Sequence, residues 1–162
     1  MSSVLHNIDP LAEGDDRARR EFLTFRLGEE TYGLDILKVQ EIREIDAVTR
    51  VPHVARFVRG VINLRGAIVP IVDLGLMFGF PAPITLANAS AIVMNVEHRM
   101  VGLIVASVSD VIALAEDEIT PAPDLGDRAV ADFVSAIGTR DDFSILLLDV
   151  ERVLARIRED TP

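Results

Sequence analysis

The 162-residue sequence contains no cysteine and no tryptophan, and each absence narrows what the protein can be. Without cysteine it has no disulfide, no thiolate metal site and no cysteine nucleophile, and the composition fits a reducing compartment. Aromatic residues make up only 5% of the chain although hydrophobic residues make up 49%, so Val, Ile, Leu and Ala must form most of the core. A chain of this length predicts one domain, or two small domains that share a core.

Lysine is almost absent: Lys38 is the only one, and all other basic residues except the histidines are arginines. The formal net charge is −10, from 26 acidic and 16 basic side chains. A surface with this charge repels nucleic acid and anionic lipid, because both bind clustered cations. We therefore expect protein partners, with no nucleic acid and no direct membrane contact.

Signals for export and for membrane insertion are also missing. The first twenty residues contain four acidic side chains and lack the apolar segment of a signal peptide. The longest apolar window, Ala67–Ile84, is interrupted by Asp73 and by three prolines, which argues against a transmembrane helix. We expect a cytoplasmic protein.

Residue patterns for catalysis are weak. His6, His53 and His98 lie far apart in the sequence, and no pair of them has metal-ligand spacing. Acidic clusters at Glu116–Glu118 and Asp141–Asp142 could bind a divalent cation or act in acid–base chemistry, although consecutive acids in loops are usually solvated. A carboxylate-based enzyme and a small-ligand-binding protein stay open as alternatives, but we expect a non-catalytic binding module with no cofactor and no metal.

Alternation of apolar and polar residues predicts a mainly β domain over residues 21–158, with a flexible tail at 1–20 and a short tail at 159–162. The predicted strands include two hairpins and one late buried strand: Phe22–Leu27 with Thr31–Leu34, Ser90–Val96 with Met100–Val105, and Phe143–Leu148.

Short helices are predicted between some of these strands. One follows a cap at Asp35, one covers Pro52–Gly60, and one follows Asp73. The last, Val150–Ile157, has an apolar stripe at helical spacing after a cap at Asp149. We expect that stripe to dock on the domain itself, with a partner's groove as the alternative.

The chain contains a faint internal repeat of two units, approximately 22–74 and 91–150. A shift of 69 residues places Phe22–Leu27 on Ala91–Val96, and a shift of 76 residues places Ile71–Leu74 on Leu147–Val150. Chance agreement between two β-rich segments is one explanation. The other is two copies of a small β unit, each closed into a barrel so that no long edge stays open.

The most distinctive stretch is Gly60–Leu74, GVINLRGAIVPIVDL. Two apolar runs that predict buried strands flank a polar break, Asn63–Gly66, in which Gly66 can adopt the positive φ that turns often need. The second unit has Thr139–Asp142 at the corresponding turn, so the scaffold is shared and the tip is not. We predict that the first tip, and Arg65 above all, has a recognition role.

A second candidate contact lies earlier in the chain. Val39 and Glu41 are two residues apart, so on a regular strand they share one face. An apolar residue beside an acid predicts an exposed patch with an apolar centre and a charged rim, as at many interfaces. The alternative is an edge strand with an ordinary exposed valine.

These segments resemble the CheW family, the coupling proteins of bacterial chemotaxis, from about Phe22 to Leu154. The segments that carry the resemblance are Gly60–Gly66 and Ile68–Leu74, with support from Tyr32–Ile42, Val108–Val111 and Leu147–Asp149.

The resemblance implies two small SH3-like five-stranded β-barrel subdomains that share an apolar seam, followed by a C-terminal helix. It also implies a non-catalytic adaptor that binds the cytoplasmic tips of methyl-accepting chemoreceptors and the regulatory domain of the histidine kinase CheA. Such proteins bridge the two into signalling arrays at the inner face of the membrane. A scaffold in a non-flagellar chemosensory pathway is the alternative within the same family.

The family's partner-binding positions fall in this sequence on Val39, Glu41, Gly60, Asn63, Leu64, Arg65, Gly66 and Val111. The sequence departs from the family at Gly75, where many members have an arginine, and at Pro81–Pro83, which stiffens the next loop. Because the match is not accompanied by a receiver or kinase segment, we expect a stand-alone adaptor.

Overall fold

The alternating segments form strands in the computed structural model, which describes residues 18–45, 47–87, 89–126 and 129–159. Strand β1 (Arg19–Leu27) pairs with β2 (Glu30–Asp35) as the first antiparallel hairpin. The second hairpin joins two later strands, which become β6 (Ala89–Val96) and β7 (Arg99–Val105) in chain order. Both predicted hairpins are confirmed.

The remaining elements fill the chain between and after these hairpins. The strands are β3 (Val39–Ile45), β4 (Val58–Leu64), β5 (Ala67–Asp73), β8 (Ser107–Ala115), β9 (Ile119–Pro121), β10 (Val134–Arg140) and β11 (Phe143–Leu148). The α-helices are α1 (Leu74–Met77) and α2 (Val150–Glu159), and short 3₁₀ helices cover Ile36–Lys38, Glu116–Glu118 and Ala129–Asp132.

Two sheets contain the strands of the described residues. Sheet A has the order β8-β1-β2-β11-β10-β9, and sheet B has the order β3-β6-β7-β5-β4. Neighbours are antiparallel except for β11 with β2 and β5 with β7, which are parallel. The predicted mainly β fold with two β subdomains and a C-terminal helix is confirmed, and the three-residue β9 gives sheet A a sixth strand.

The strand registers reproduce the internal repeat. Leu23 lies opposite Val111 in the β1–β8 pair, and the residues shifted by 69 positions, Ile92 (from 23) and Ile42 (from 111), lie opposite each other in the β6–β3 pair. The shift of 76 also holds, since Val58 pairs with Val72 in the first copy as 134 pairs with 148 in the second. Agreement in register between distant strands supports the explanation of two copies over chance similarity.

The prediction that each copy closes into its own barrel is wrong. The first hairpin, β1 and β2, lies in sheet A with β8–β11, whereas the hairpin β6 and β7 lies in sheet B with β3–β5. The units 22–74 and 91–150 are therefore sequence repeats that exchange hairpins. Alternation in a sequence reports which face a strand buries but not which strand it pairs with, so no local signal reveals the exchange.

The largest apolar core, called the seam from here on, contains residues of both sheets and of α2. The exchanged hairpins contribute fully buried side chains such as Phe25, Tyr32, Ile92 and Met94. The apolar stripe of α2 is buried against the same core, so this helix docks on its own domain. Its buried residues are Val150, Val153, Leu154 and Ile157.

One predicted helix is absent. Residues 51–57 form turns and irregular backbone, and Val58 begins β4, so Pro52–Gly60 is not helical. His53 has a φ of 60°, in the left-handed region, which interrupts a right-handed helix. The apolar spacing that predicted a helix reflects instead the burial of Phe57 and Val58.

The start of the fold lies close to the predicted tail boundary. β1 begins at Arg19 and so includes the last two residues of the segment predicted as a tail. Residues 1–17, with His6, and residues 160–162 lie outside the described part of the chain. No helix within the described ranges has both the length and the hydrophobicity needed to cross a membrane.

Three aspartates cap helix starts, and they include the two predicted caps, Asp35 and Asp149. The side chain of Asp35 accepts a hydrogen bond from the Leu37 amide, at 2.9 Å. The equivalent caps of the two copies are Asp73, which accepts from the amide of Leu76 at 3.0 Å, and Asp149, which accepts from that of Arg152 at 3.2 Å. Each cap satisfies an amide that a helix start leaves without an intrahelical partner.

The first of these equivalent caps is much more deeply embedded than the second. Asp73 has 0% exposure and also accepts hydrogen bonds from the Ile84 amide at 2.8 Å and from Arg59 Nη1 at 3.2 Å. The Asp149 side chain is 27% exposed, and its ion pair is with Arg152 at 3.4 Å. Asp73 therefore connects β4, β5 and the segment that links the two copies.

We expect Asp73→Ala to destabilise the protein far more than Asp149→Ala. The first change leaves Arg59 without its buried counter-charge, a loss of about 3–5 kcal/mol. The second removes a partly exposed cap, a loss of about 0.5–2 kcal/mol. Urea unfolding of the two variants measures the difference, and equal losses would contradict the structural role given to Asp73.

Candidate partner-binding site

The predicted tip is the two-residue turn between β4 and β5. Arg65 and Gly66 have φ angles of 51° and 90°, the pattern of a type I′ turn, whose twist matches that of the flanking strands. The side-chain oxygen of Asn63 accepts a hydrogen bond from the Gly66 amide at 2.9 Å. The backbone that carries Arg65 is therefore held by the turn type and by a side chain of its own hairpin.

The Arg65 side chain forms an ion pair across sheet B. Its Nη2 donates to Oε1 of Glu41 on β3, and β3 and β4 are the two outer strands of the sheet order. The Arg65 side chain is 66% exposed and that of Glu41 only 15%. Since a guanidinium group has five N–H donors, Arg65 can pair with Glu41 and still donate to an acidic partner.

A backbone contact behind the tip joins the loop after β3 to β4. Thr49 and Val61 exchange two hydrogen bonds of 2.9 and 2.8 Å. Gly60, next in the chain, has a φ of 146°, and a Cβ built there would lie 2.3 Å from the Thr49 carbonyl oxygen. The predicted site residue Gly60 thus permits a close backbone approach at the base of the hairpin.

Val39 and Glu41 do not share a face, which corrects the prediction from their spacing. Val39 lies opposite Met94 and Glu41 opposite Val93, so the register shifts by one residue between them. Adjacent residues of a strand point to opposite faces, and the bulge therefore separates the two side chains. Val39 packs against the seam, whereas Glu41 faces the Arg65 tip.

Two predicted contact residues are buried. Leu64 is 3% exposed and packs with Val69 and Val93 beneath the tip. Val111 is 8% exposed and lies in the seam, on a strand of sheet A. Their buried side chains therefore support the surface from below.

Ile68 is a candidate that the sequence did not reveal. It lies opposite Asn63 in the β4–β5 pair, and it is 64% exposed although it belongs to a run predicted as buried. A continuous apolar run carries no sign of which residue projects beyond the core. The structure therefore brings together the exposed residues Asn63, Arg65, Gly66 and Ile68 with the largely buried Glu41 that pairs with Arg65, and we call this set the recognition tip.

One residue of the acidic clusters, Glu118, has structural partners. Glu118 accepts a hydrogen bond from the Ala115 amide at 2.8 Å and lies 3.8 Å from Arg140. Asp141 and Asp142 form the turn of the second copy, and only Asp141 of this pair has a positive φ. Within the described residues no three His, Cys, Asp or Glu side chains are grouped as a metal site would need.

Comparison with known proteins identifies relatives along nearly the whole fold. The family model described as the CheW-like domain matches residues 21–158. The chain is 43% identical to the chemotaxis protein CheW of Klebsiella aerogenes over 136 residues, which cover 84% of this chain and 82% of that protein. It is 32% identical to a probable chemotaxis protein CheW of Rhizobium etli, with 94% and 96% covered.

A solved structure supports the same relationship. The crystal structure of a scaffolding protein, CheW from Thermoanaerobacter tengcongensis, superposes with a TM-score of 0.75 at 33% sequence identity. The match covers 82% of this chain and 90% of that one. Fold and sequence therefore agree on one family.

The two glycines of the hairpin should respond differently to substitution. Gly60→Ala combines backbone strain with a clash against the Thr49 backbone, a loss of roughly 2–5 kcal/mol. Gly66→Ala has no heavy atom within 4 Å of the new Cβ and a φ of 90°, so only strain of roughly 1–2 kcal/mol applies. Chemical unfolding tests this order of stability, and a Gly60→Ala variant as stable as Gly66→Ala would contradict it.

Proposed function

The chain belongs to the CheW family of non-catalytic chemotaxis adaptors, and we propose that it couples methyl-accepting chemoreceptors to the histidine kinase CheA. The observation that carries this proposal is the family match over residues 21–158 together with an exposed arginine at the end of an ordered hairpin. The protein would act in the cytoplasm, binding the cytoplasmic tips of the receptors and the regulatory domain of the kinase. Its contact with the membrane would be indirect.

Arg65 is the proposed charged contact to an acidic group on a receptor helix. Its backbone is fixed by the I′ turn and by Asn63, and its side chain is oriented by Glu41. Ile68 is the proposed apolar contact beside it, because it is exposed on the same hairpin. A preorganised side chain loses less conformational entropy on binding than a mobile one, which favours recognition by this tip.

The other predicted residues would act in different ways. Val39 is partly buried against the seam and can offer only its remaining exposed surface to a partner. Gly60 and Gly66 shape the hairpin backbone, while Leu64 and Val111 support it and the seam from inside. The proposed contact surface is therefore smaller than the set of family positions.

Arg65→Glu is expected to leave the fold intact and to abolish receptor coupling. The change removes one partner of an interfacial charge pair, which costs about 2–5 kcal/mol, or roughly 30-fold to a few thousand-fold in affinity. The measurement is kinase activation in a reconstituted complex of receptor, kinase and variant.

Arg140→Glu is the matched control, because Arg140 lies beside the equivalent turn of the second copy and the substitution changes charge equally. It should activate the kinase nearly as well as the native chain. Normal activation by Arg65→Glu, or an equal loss in both variants, would show that the first tip has no special role.

A charge exchange separates direct contact from an effect on the fold. The double variant Glu41→Arg with Arg65→Glu retains opposite charges across sheet B but places an acid at the tip. We expect it to recover the thermal stability that Arg65→Glu loses, yet to remain unable to couple receptors. Recovery of coupling would mean that Arg65 acts only through its ion pair with Glu41 and does not contact the receptor.

A further inference from the structure

Positive charge is concentrated in one part of this acidic protein. Residues 47–72 contain four arginines, one histidine and no carboxylate, although the whole chain has a net charge of −10. Only one of these arginines, Arg65, belongs to the recognition tip. The other three, Arg50, Arg56 and Arg59, need a separate explanation.

These three arginines line one cavity. It has a volume of about 650 Å³ and lies between the loop after β3, the start of β4 and the segment that links the two copies. His53 also lines it, and the apolar part of its wall includes Val48 and Leu86. No acidic residue of the described part of the chain contributes to the lining. We call this space the arginine cavity.

Two of the arginines are held in place by hydrogen bonds. Arg59 donates through Nη1 to Asp73 at 3.2 Å and to the Ile84 carbonyl at 2.8 Å, and Arg56 donates through Nη2 to the Pro81 carbonyl at 3.0 Å. Such anchoring lowers the entropy lost when a guanidinium group binds a ligand. Each group retains N–H donors beyond those it uses.

Arg50 differs from them. It is exposed, and within the described residues it forms no hydrogen bond and no ion pair. Asp73 neutralises only Arg59 and is itself fully buried, so it does not line the cavity. Among the described residues, the lining thus retains an excess of positive charge, which favours an anion with more than one negative charge over a single carboxylate.

We propose that the arginine cavity binds a small phosphate-bearing anion. Guanidinium groups match phosphate oxygens with paired hydrogen bonds, and this is the recognition for which arginine is best suited. The volume lies within the range of small-molecule sites, and the apolar wall can cover a non-polar part of the ligand. This site is separate from the recognition tip and goes beyond the adaptor role.

Calorimetric titration of the full chain with pyrophosphate and with ADP tests the proposal, and adenosine serves as the probe without phosphate. We expect saturable binding of at least one phosphate probe with one site per chain, weakened by added salt, and no binding of adenosine. Arg50→Ala should weaken binding by at least about tenfold, because the loss of a hydrogen bond that involves a charged group usually has an effect of that size.

Arg43→Ala is the matched control, since Arg43 is an exposed arginine of β3 outside the cavity. It should bind the phosphate probes as the native chain does. Arg56→Ala provides a second test at the cavity, whereas Arg59 is avoided because its loss would leave Asp73 buried without a counter-charge.

Three results would overturn the proposal. They are no saturable binding of either phosphate probe, binding that Arg50→Ala and Arg43→Ala weaken equally, and binding of a poly-glutamate peptide but of neither phosphate probe. The last result would assign the cavity to an acidic protein segment. Receptor coupling by the Arg50→Ala variant is measured separately, so failure of this site leaves the adaptor proposal untouched.

Discussion

The parallel pairings of β5 with β7 and of β11 with β2 hold the two repeats together, and the rest of the architecture depends on them. Each pairing inserts a strand of one copy beside a hairpin of the other, so neither sheet can form from one copy alone. The equivalent glycines Gly33 and Gly102 lie at these pairings. A Cβ on Gly102 would lie 2.7 Å from Ile71 Cδ1, and one on Gly33 would lie 3.0 Å from Leu147 Cδ2. In both parallel pairings a glycine therefore allows the same close contact with a side chain of the neighbouring strand.

On this symmetric scaffold the two tips have diverged. The first tip has two consecutive positive φ angles, at Arg65 and Gly66, whereas in the second only Asp141 has one. The ion-pair partner has changed as well: Glu41 reaches Arg65, while the residue equivalent to Glu41, Asp110, accepts a hydrogen bond from the next amide in the chain. Because the scaffold is common to both copies, the shared fold does not require these differences at the tips.

The sequence predicted what depends on local pattern. Alternation located both hairpins, the apolar stripe located α2, and the repeat shifts of 69 and 76 residues proved to be the shifts between strand registers. What it could not predict is nonlocal. The exchange of hairpins leaves no periodic signal in the sequence. The bulge near Val39 is defined only by the pairing of β3 with β6, and the exposure of Ile68 depends on where the core ends. The contact between Glu41 and Arg65 likewise needs the whole of sheet B.

The β4–β5 hairpin of the first copy is also held by more contacts than its equivalent in the second copy, which supports the proposal that the first copy carries the recognition site. Its β4–β5 hairpin is fastened at the tip by Glu41 and Arg65, and at the base by Arg59 and the fully buried Asp73. The equivalent hairpin of the second copy has Arg140 at 3.8 Å from Glu118 near its tip, and its base aspartate is partly exposed. The turn and the ion pair with Glu41 restrict the orientations that the Arg65 side chain can adopt. Because Arg65 is already partly ordered, it loses less conformational entropy on binding, and more of the contact energy contributes to affinity.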